Sequence, residues 1–496
     1  MTMSTEVYVL SIDQSTSCTK ALLFDKNANL VYRHDLSHRQ LISAEGWVEH
    51  DPSEIYTCLI QAVKELLEAS GIDRKFIQGA AISNQRETAI VWDKTNGLPL
   101  YNAIVWQCAR GLDICNQIEK AGNGEHVQRK SGIPLSPYYS AAKMAWVLQN
   151  VPEAKRKAAL GELCCSTMDS WLIYKLAGGT PKTDYSNASR TQLFNVESLV
   201  WDAEVCGWFG LTVDMLPEVC DSDSLFGYTD FEGLLPVPIP INGVMGDSHG
   251  ALFAQGCLEP GMVKATYGTG SSVMMNVGKS PVFSDMGIVT SLAWRTEGIV
   301  YYVLEGNINY TGAVIKWLEE DLGLIASSKE VSSLAKSAGD TQGLYLVPAF
   351  SGLGAPYWKG DAKAMLYGMT RNTGKAEIVR AAEECIAYQI ADIVKLMEAE
   401  TRIKISELKV DGGPTKDDFL MQFQSDIIDA EVKAPDIAEL SGLGPALAAG
   451  IALGFYEKDH VFARPLRADY APKMEKEKRQ NLYNGWKAAV QMVLGV

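Results

Sequence analysis

The sequence predicts an α/β fold built as two related lobes. Two observations carry this. Strands and helices alternate in the order strand, helix, strand, which calls for a sheet flanked by helices. An opening pattern of strand, small-residue turn and strand then returns in the second half of the chain. The length of 496 residues admits two or three domains. With 47% hydrophobic and 21% charged residues, there is apolar mass for a sizeable core.

The elements follow in order. Val7 to Ile12 is a short β-branched apolar run and reads as a core strand. A small hydroxyl turn from Asp13 to Thr19 leads to a second strand, Lys20 to Phe24, and a third runs from Leu30 to His34. Pro52 to Ser70 reads as a helix, capped by Asp51, with Ile55, Leu59, Val63 and Leu67 as its buried stripe. Phe76 to Ser83 returns as a strand and ends in Asn84-Gln85-Arg86-Glu87, where polar residues are well placed for a site. In the second half, Ala251 to Gln255 reads as a short helix. Met262 to Thr266 and Ser272 to Asn276 are strands around the turn Tyr267-Gly-Thr-Gly-Ser271. Arg380 to Glu398, Asp418 to Ile428 and Leu443 to Leu453 are helices, and Leu408 to Val410 is a strand. The lobe boundary is expected near residue 250, giving lobes 1–250 and 251–496 with no flexible linker between them.

Composition narrows the function classes. Forty-five basic against sixty acidic residues leave a formal charge of −15. That excludes a broad nucleic-acid footprint and an anionic-membrane surface, while a local basic pocket can still take an anionic substrate. The ten cysteines form no C-x-x-C pair and read as free thiols in a reducing compartment. No secretory leader and no membrane-spanning apolar run of about 18 residues is expected, which points to a cytoplasmic protein. There is no Walker A loop, no G-x-G-x-x-G after the first strand, no G-x-S-x-G elbow and no zinc set among the six histidines.

Several residue groups can carry chemistry. In Asp13 to Lys20, Thr16, Ser17 and Thr19 offer hydroxyls and amides to a phosphate, Lys20 adds a positive charge, and Asp13 can hold Mg²⁺ through water. A plain polar β-turn is the alternative. The turn around Thr269 is a hairpin or the second half of a phosphate clamp, its glycines allowing close backbone approach. Asp411-Gly412-Gly413 is a plain double-glycine turn or passes under a planar or phosphorylated ligand. Asp247 supplies the carboxylate that a neutral hydroxyl acceptor needs, or caps a helix. His249 is a base, a substrate contact or a packed side chain. Arg86 and Glu87 form a salt bridge or grip a polyhydroxylated substrate, and Trp106 and Tyr138 can give it an apolar wall. Tyr357 and Trp358, in the loop from Gly352, read as packing residues.

Together these residues resemble the FGGY carbohydrate kinases, and within them the glycerol kinase group. The landmarks span nearly the whole chain: Ile12-Asp13-Gln14, Gly46 to Pro52 (GWVEHDP), Asn84 to Thr88 (NQRET) and Tyr101 to Gln107 (YNAIVWQ). Asp184 to Arg190 (DYSNASR), Tyr267 to Gly270, Gly352 to Trp358, Asp411 to Gly413 and Phe419 to Asp426 (FLMQFQSD) continue the series. The resemblance implies two actin-like (ribonuclease H-like) lobes around a deep cleft. It implies transfer of the γ-phosphoryl of ATP, with Mg²⁺, to a hydroxyl of a small polyol or sugar, and a homodimer or other homo-oligomer. By the same resemblance Asp247 is the general base and, with Asp13, the metal side; Thr16, Ser17 and Lys20 belong to the phosphate turn. Thr269, Gly312, Lys316, Gly413 and Asp417 fall to the nucleotide, and Arg86, Glu87, Trp106, Tyr138, Asp247, Ser248, His249 and Ser272 to the acceptor.

The chain departs from the glycerol group at named positions. It has Ser15 for Gly, Lys20 for Arg, Ser248 for Gln, Ser272 for Phe, Lys316 for Gln and Asp417 for Asn. Ser248 and Ser272 enlarge or re-wet the acceptor pocket, which brings four- and five-carbon polyols and ketoses into range beside glycerol. Two rival readings are a pentulose kinase and a non-catalytic actin-like nucleotide switch. Asp247, Arg86 and Glu87 favour an enzyme, because a switch needs no polyol contacts.

Overall fold

The computed structural model describes residues 6–495; the reading of the first five residues lies outside them. Tyr8–Gln14 (β1), Cys18–Phe24 (β2) and Leu30–Ser37 (β3) form an antiparallel meander. Pro52–Ser70 (α1) follows with the expected bounds. Asp51 accepts a hydrogen bond from the Ser53 amide, Pro52 fits the first turn, and Gly71, at φ 62°, ends the helix in the left-handed conformation. Ile77–Asn84 (β4) then lies parallel to β1. Gly227–Thr229 (β5) and Ile239–Gly246 (β6) complete the sheet, β6 parallel to β4, in the order β5–β6–β4–β1–β2–β3.

Asp247–Ala254 (α2) begins at Asp247 rather than at Ala251. Gly246 is extended and acts as the cap, and a carboxylate in the first turn is favoured by the helix dipole. Asp247 therefore sits at a helix N-terminus and not in a free turn.

The second lobe repeats the plan. Val263–Tyr267 (β7) and Ser271–Gly278 (β8) form the hairpin, followed by Val289–Thr296 (β9) and Ile299–Ile308 (β10). After the long helix Lys375–Thr401 (α3) come Glu407–Gly412 (β11), Asp418–Ile428 (α4) and Glu431–Pro435 (β12). Leu440–Ala452 (α5) and Leu466–Tyr470 (β13) follow. The sheet order is β9–β10–β8–β7–β11–β12–β13. In both lobes the first strand has an antiparallel hairpin partner on one side. On its other side lie two parallel strands and an antiparallel edge. The repeat read in the sequence is thus a repeat of topology, the two-lobed actin-like architecture.

Helix α5 returns to the first lobe and packs on β1, β4, β6 and α2. Its backbone lies so close that a Cβ on Gly444 would collide with the Gly250 carbonyl, and one on Gly243 with that of Pro445. A second, five-stranded sheet in the first lobe contains Ala89–Asp93 and Ala103–Ile104, with the helix Ser140–Asn150 packed on it. It carries the segments of Trp106 and Tyr138. No described helix is long and apolar enough to cross a membrane.

Candidate active site

The two hairpins open on one cleft of about 860 Å³ between the lobes. Its wall includes Asp13 and Lys20 from the first hairpin, Thr269 and Ser272 from the second, Trp106 and Tyr138 from the side, and Asp247 and Ser248 from α2.

Asp247 is anchored by one oxygen. Its Oδ1 accepts from the Ser248 amide at 2.6 Å and the Ser248 hydroxyl at 3.2 Å, and lies 3.3 Å from Arg86 Nε. Oδ2 has no partner among the described residues and belongs to a side chain that lines the cleft. Trp106 and Tyr138 meet edge to face with centroids 5.6 Å apart. Tyr138 is fixed from behind. The buried Lys143 ammonium donates to the carbonyls of Pro137 and Tyr139 at 2.8 and 2.9 Å, and to that of Tyr138. Burial pushes the Lys143 pKa down to about 7, against the pull of Glu87.

Arg86 and Glu87 do not pair chiefly with each other, their nearest approach being 4.0 Å. Arg86 makes a two-pronged contact to Glu305, both bonds 2.9 Å, and Glu87 accepts from Arg190 Nε at 2.6 Å. Arg190 reaches Glu305 at 3.0 Å, and Ser272 donates its hydroxyl to Glu305 at 3.1 Å. Burial opposes the Glu305 charge, but Arg190 and Arg86 hold its pKa well below the usual carboxylate value. Arg86 and Glu87 are therefore committed to a buried network beneath the cleft, and neither belongs to its wall. His249 is also buried, 3.3 Å from the Ser291 hydroxyl, and burial with nearby Arg86 keeps it neutral. In this structure His249 is packed and does not line the cleft.

The first hairpin closes through the Ser15 amide to the Cys18 carbonyl at 2.9 Å. Thr16 accepts from Trp106 Nε1 at 3.0 Å, so its hydroxyl ties the turn to the Trp106 side of the cleft, while Ser17 is exposed at the tip. Lys20 is already paired, to Asp13 at 3.1 Å and Glu439 at 2.7 Å. Burial works against its charge, but Asp13 and Glu439 hold its pKa above the usual lysine value. Asp13 is buried, which raises its pKa despite Lys20, and Asp247 adds to the rise. Its Oδ1 has no partner among the described residues.

The residues that the resemblance assigns to the nucleotide lie along the second lobe. Thr269 is in the cleft wall, and Gly312 packs its amide on the Gly268 carbonyl at 2.9 Å, bracing the hairpin. Lys316 is exposed on the short helix Gly312–Lys316. Gly413 is exposed just beyond Gly412, which does line the cleft. Asp417 caps α4, accepting from the Phe419 and Leu420 amides at 2.8 and 3.2 Å. Burial and the neighbouring Asp417 push the pKa of buried Glu383 well above the usual carboxylate value. Gly312, Lys316, Gly413 and Asp417 are thus brought to the hairpin's back or the cleft's far end, not to the wall shared by Asp13 and Asp247.

Sequence reasoning missed Arg190's role, Glu305, Glu439 and Lys264. Arg190 ends a quoted motif, and Lys264 alternates with Thr266 on one face of β7, a period-two signal that was available.

Residues 8–254 match the N-terminal domain of the FGGY family of carbohydrate kinases, and residues 263–453 match its C-terminal domain. The chain belongs to the FGGY family. It is a phosphotransferase acting on an alcohol group, most similar to the glycerol kinases. It is 47% identical to glycerol kinase 1 of Thermotoga maritima, over 98% of this chain and the whole of that protein. Its structure resembles that of Plasmodium falciparum glycerol kinase with ADP, with a TM-score of 0.94 and 36% identity over 99% of this chain and 98% of that one. A xylulose kinase from Lactobacillus acidophilus shares the fold at a TM-score of 0.86 and 22% identity, over 99% and 98% of the two chains.

Proposed function

We propose that the protein transfers the γ-phosphoryl group of ATP to a terminal hydroxyl of glycerol, or of a polyol or ketose one or two carbons longer, with Asp247 as general base. The observation that carries this reading is the split role of the Asp247 carboxylate. Three donors hold Oδ1, and Oδ2 is left for the acceptor hydroxyl. As the hydroxyl oxygen bonds to the γ-phosphorus, its proton passes to Oδ2 and the bridging bond to ADP breaks. Arg86, backed by Glu305, orients the carboxylate rather than gripping the polyol. Trp106 and Tyr138 supply the face on which the acceptor carbons lie.

The unpartnered Asp13 Oδ1, with Asp247 near enough to raise the Asp13 pKa, fits Mg²⁺ held by one or two carboxylates through water. Bound there, Mg²⁺ would neutralise phosphate charge. Thr16, Ser17 and Thr269 face the phosphates from the two hairpins. The base falls toward the far end, near Gly413 and Asp417, with Gly312 and Lys316 alongside the hairpin. This divides the work between an acceptor lobe, 1–250, and a nucleotide lobe, 251–496, with α2 crossing that boundary and α5 returning to cover the first lobe. Ser248 and Ser272 leave space beyond a three-carbon acceptor, and their hydroxyls can meet an additional one.

Asp247→Asn tests the base assignment. ADP release with a saturating polyol should fall by about 10²–10⁴-fold while ATP binding stays nearly intact; retention of a tenth of kcat refutes the role. Comparing kcat/KM for glycerol, erythritol, pentitols, ribulose and xylulose fixes the acceptor, and a hundredfold lead for glycerol rules out the enlarged pocket.

A further inference from the structure

Lys264 is the cleft's unengaged cation. It lies on β7, where Val263, Ala265 and Tyr267 point into the second lobe's core, while Lys264 and Thr266 alternate onto the opposite face and line the cleft. Its residue surface is only 1% exposed, yet among the described residues its ammonium has neither a hydrogen bond nor an ion pair. Lys20, the other lysine of the wall, is spoken for by two carboxylates.

A buried ammonium without a partner is costly, and a fold keeps one where an anion will complete it. The carboxylates around Lys264 do not complete it. Asp411 uses Oδ2 to accept from Gln255 at 2.7 Å and from Thr266 at 3.0 Å, Glu305 is enclosed by Arg86 and Arg190, and Asp247 is held by Ser248 and Arg86. These act on Lys264 only at long range, and burial is the largest influence on it, lowering its pKa.

We propose that Lys264 contacts the transferring phosphoryl group and stabilises the charge that develops on its oxygens. This rests on the kinase reading above and extends it to a residue of the second lobe. Lys264 keeps its proton throughout. The acceptor proton goes to Asp247, the new phosphorus–oxygen bond forms as the bridging bond breaks, and ADP leaves with that electron pair. A fixed cation aimed at the moving group acts more strongly on the transition state than on the ground state. Lys20 instead shapes the first hairpin through Asp13 and Glu439.

The test pairs Lys264→Met with Lys264→Arg and reads turnover and binding separately. Lys264→Met should lower kcat by about 10²–10³-fold with little change in acceptor KM. It should also weaken a non-hydrolysable ATP analogue at least tenfold more than ADP, because only the former carries the γ-phosphate. Lys264→Arg should keep the preference for the analogue over ADP. Equal losses for both nucleotides, or more than a tenth of wild-type kcat in Lys264→Met, overturn the proposal. If the Met variant does not fold, amine labelling of the wild type decides. Lys264 should be protected by the ATP analogue and not by ADP, and equal protection by both overturns the contact. A wild type without acceptor-stimulated turnover removes the kinase reading itself, whereas an active wild type with an active Lys264→Met removes only this inference.

Discussion

Replacing Glu305 by Gln strikes the buried network beneath the cleft. The Glu305 carboxylate takes two bonds from Arg86 at 2.9 Å, one contact from Arg190 at 3.0 Å and the Ser272 hydroxyl at 3.1 Å. The amide keeps the shape and one acceptor oxygen, but it loses the charge and turns N–H groups toward a guanidinium. Arg86 and Arg190 are then left with Glu87 and Asp247. Breaking a buried pair by removing one partner costs about 3–5 kcal/mol, and the retained oxygen places this case near the lower end, about 3 kcal/mol. A second effect reaches the chemistry. Arg86 Nε already lies 3.3 Å from Asp247 Oδ1, and an Arg86 released from Glu305 would pull that carboxylate out of the position proposed for the base. A tenfold fall in kcat corresponds to about 1.4 kcal/mol of barrier. The assay combines denaturant unfolding, followed by circular dichroism, with ADP release. A Glu305→Gln/Arg190→Met double variant should recover part of the loss, since residues in one buried network couple by about 0.5–3 kcal/mol. A single-variant loss under about 1 kcal/mol, or strictly additive losses in the double variant, would refute the network's role.

Other outcomes follow from the same structure. Lys143→Met should release the Pro137–Tyr139 carbonyls and raise the acceptor KM severalfold while the ATP KM holds steady; equal shifts in both contradict a role confined to the acceptor wall. Asp169 is fully buried, accepts from Thr167 and Thr183 at 2.6 Å, and burial raises its pKa to about 7. Its folded pKa exceeds its unfolded one, so its stabilising contribution is full below about pH 4 and lost as the pH rises through 7. Relative to Asp169→Asn, the wild type should lose up to about 4 kcal/mol between pH 4 and 8, read from urea midpoints, and a pH-independent difference contradicts this. Small-angle scattering should show compaction when nucleotide and acceptor are both present, because hairpins on two lobes meet one ligand only by closing on it; unchanged profiles remove that expectation.

Local signals were legible where the chain punctuates itself. Asp51 with Pro52 and Gly71 fixes both ends of α1, and Asp417 fixes the start of α4. Asp13, Trp106, Tyr138, Asp247, Ser248 and Ser272 were named from motifs and do converge on the cleft. The buried charges were not legible. Adjacent Arg86 and Glu87 look like partners, yet each reaches a residue more than a hundred positions away, Glu305 or Arg190, and spacing carries no trace of such pairs. Lys264 sits inside a short, mostly apolar strand, where nothing beyond the period-two alternation singles it out from its neighbours. The crossing of α5 was hidden as well, because a uniformly apolar helix does not say which surface it covers.

That crossing has a consequence for how the protein is made. The sheet of the first lobe is complete in sequence at Gly246, but the helix that covers β1, β4 and β6 ends at Ala452. At roughly 5–20 residues per second, a ribosome takes on the order of ten to forty seconds to span that gap. Through that interval the emerging first lobe shows an apolar sheet face to its surroundings. A chain stopped before Leu440 would leave that face permanently bare. Such truncated chains belong among the clients of a chaperone rather than among small autonomous domains.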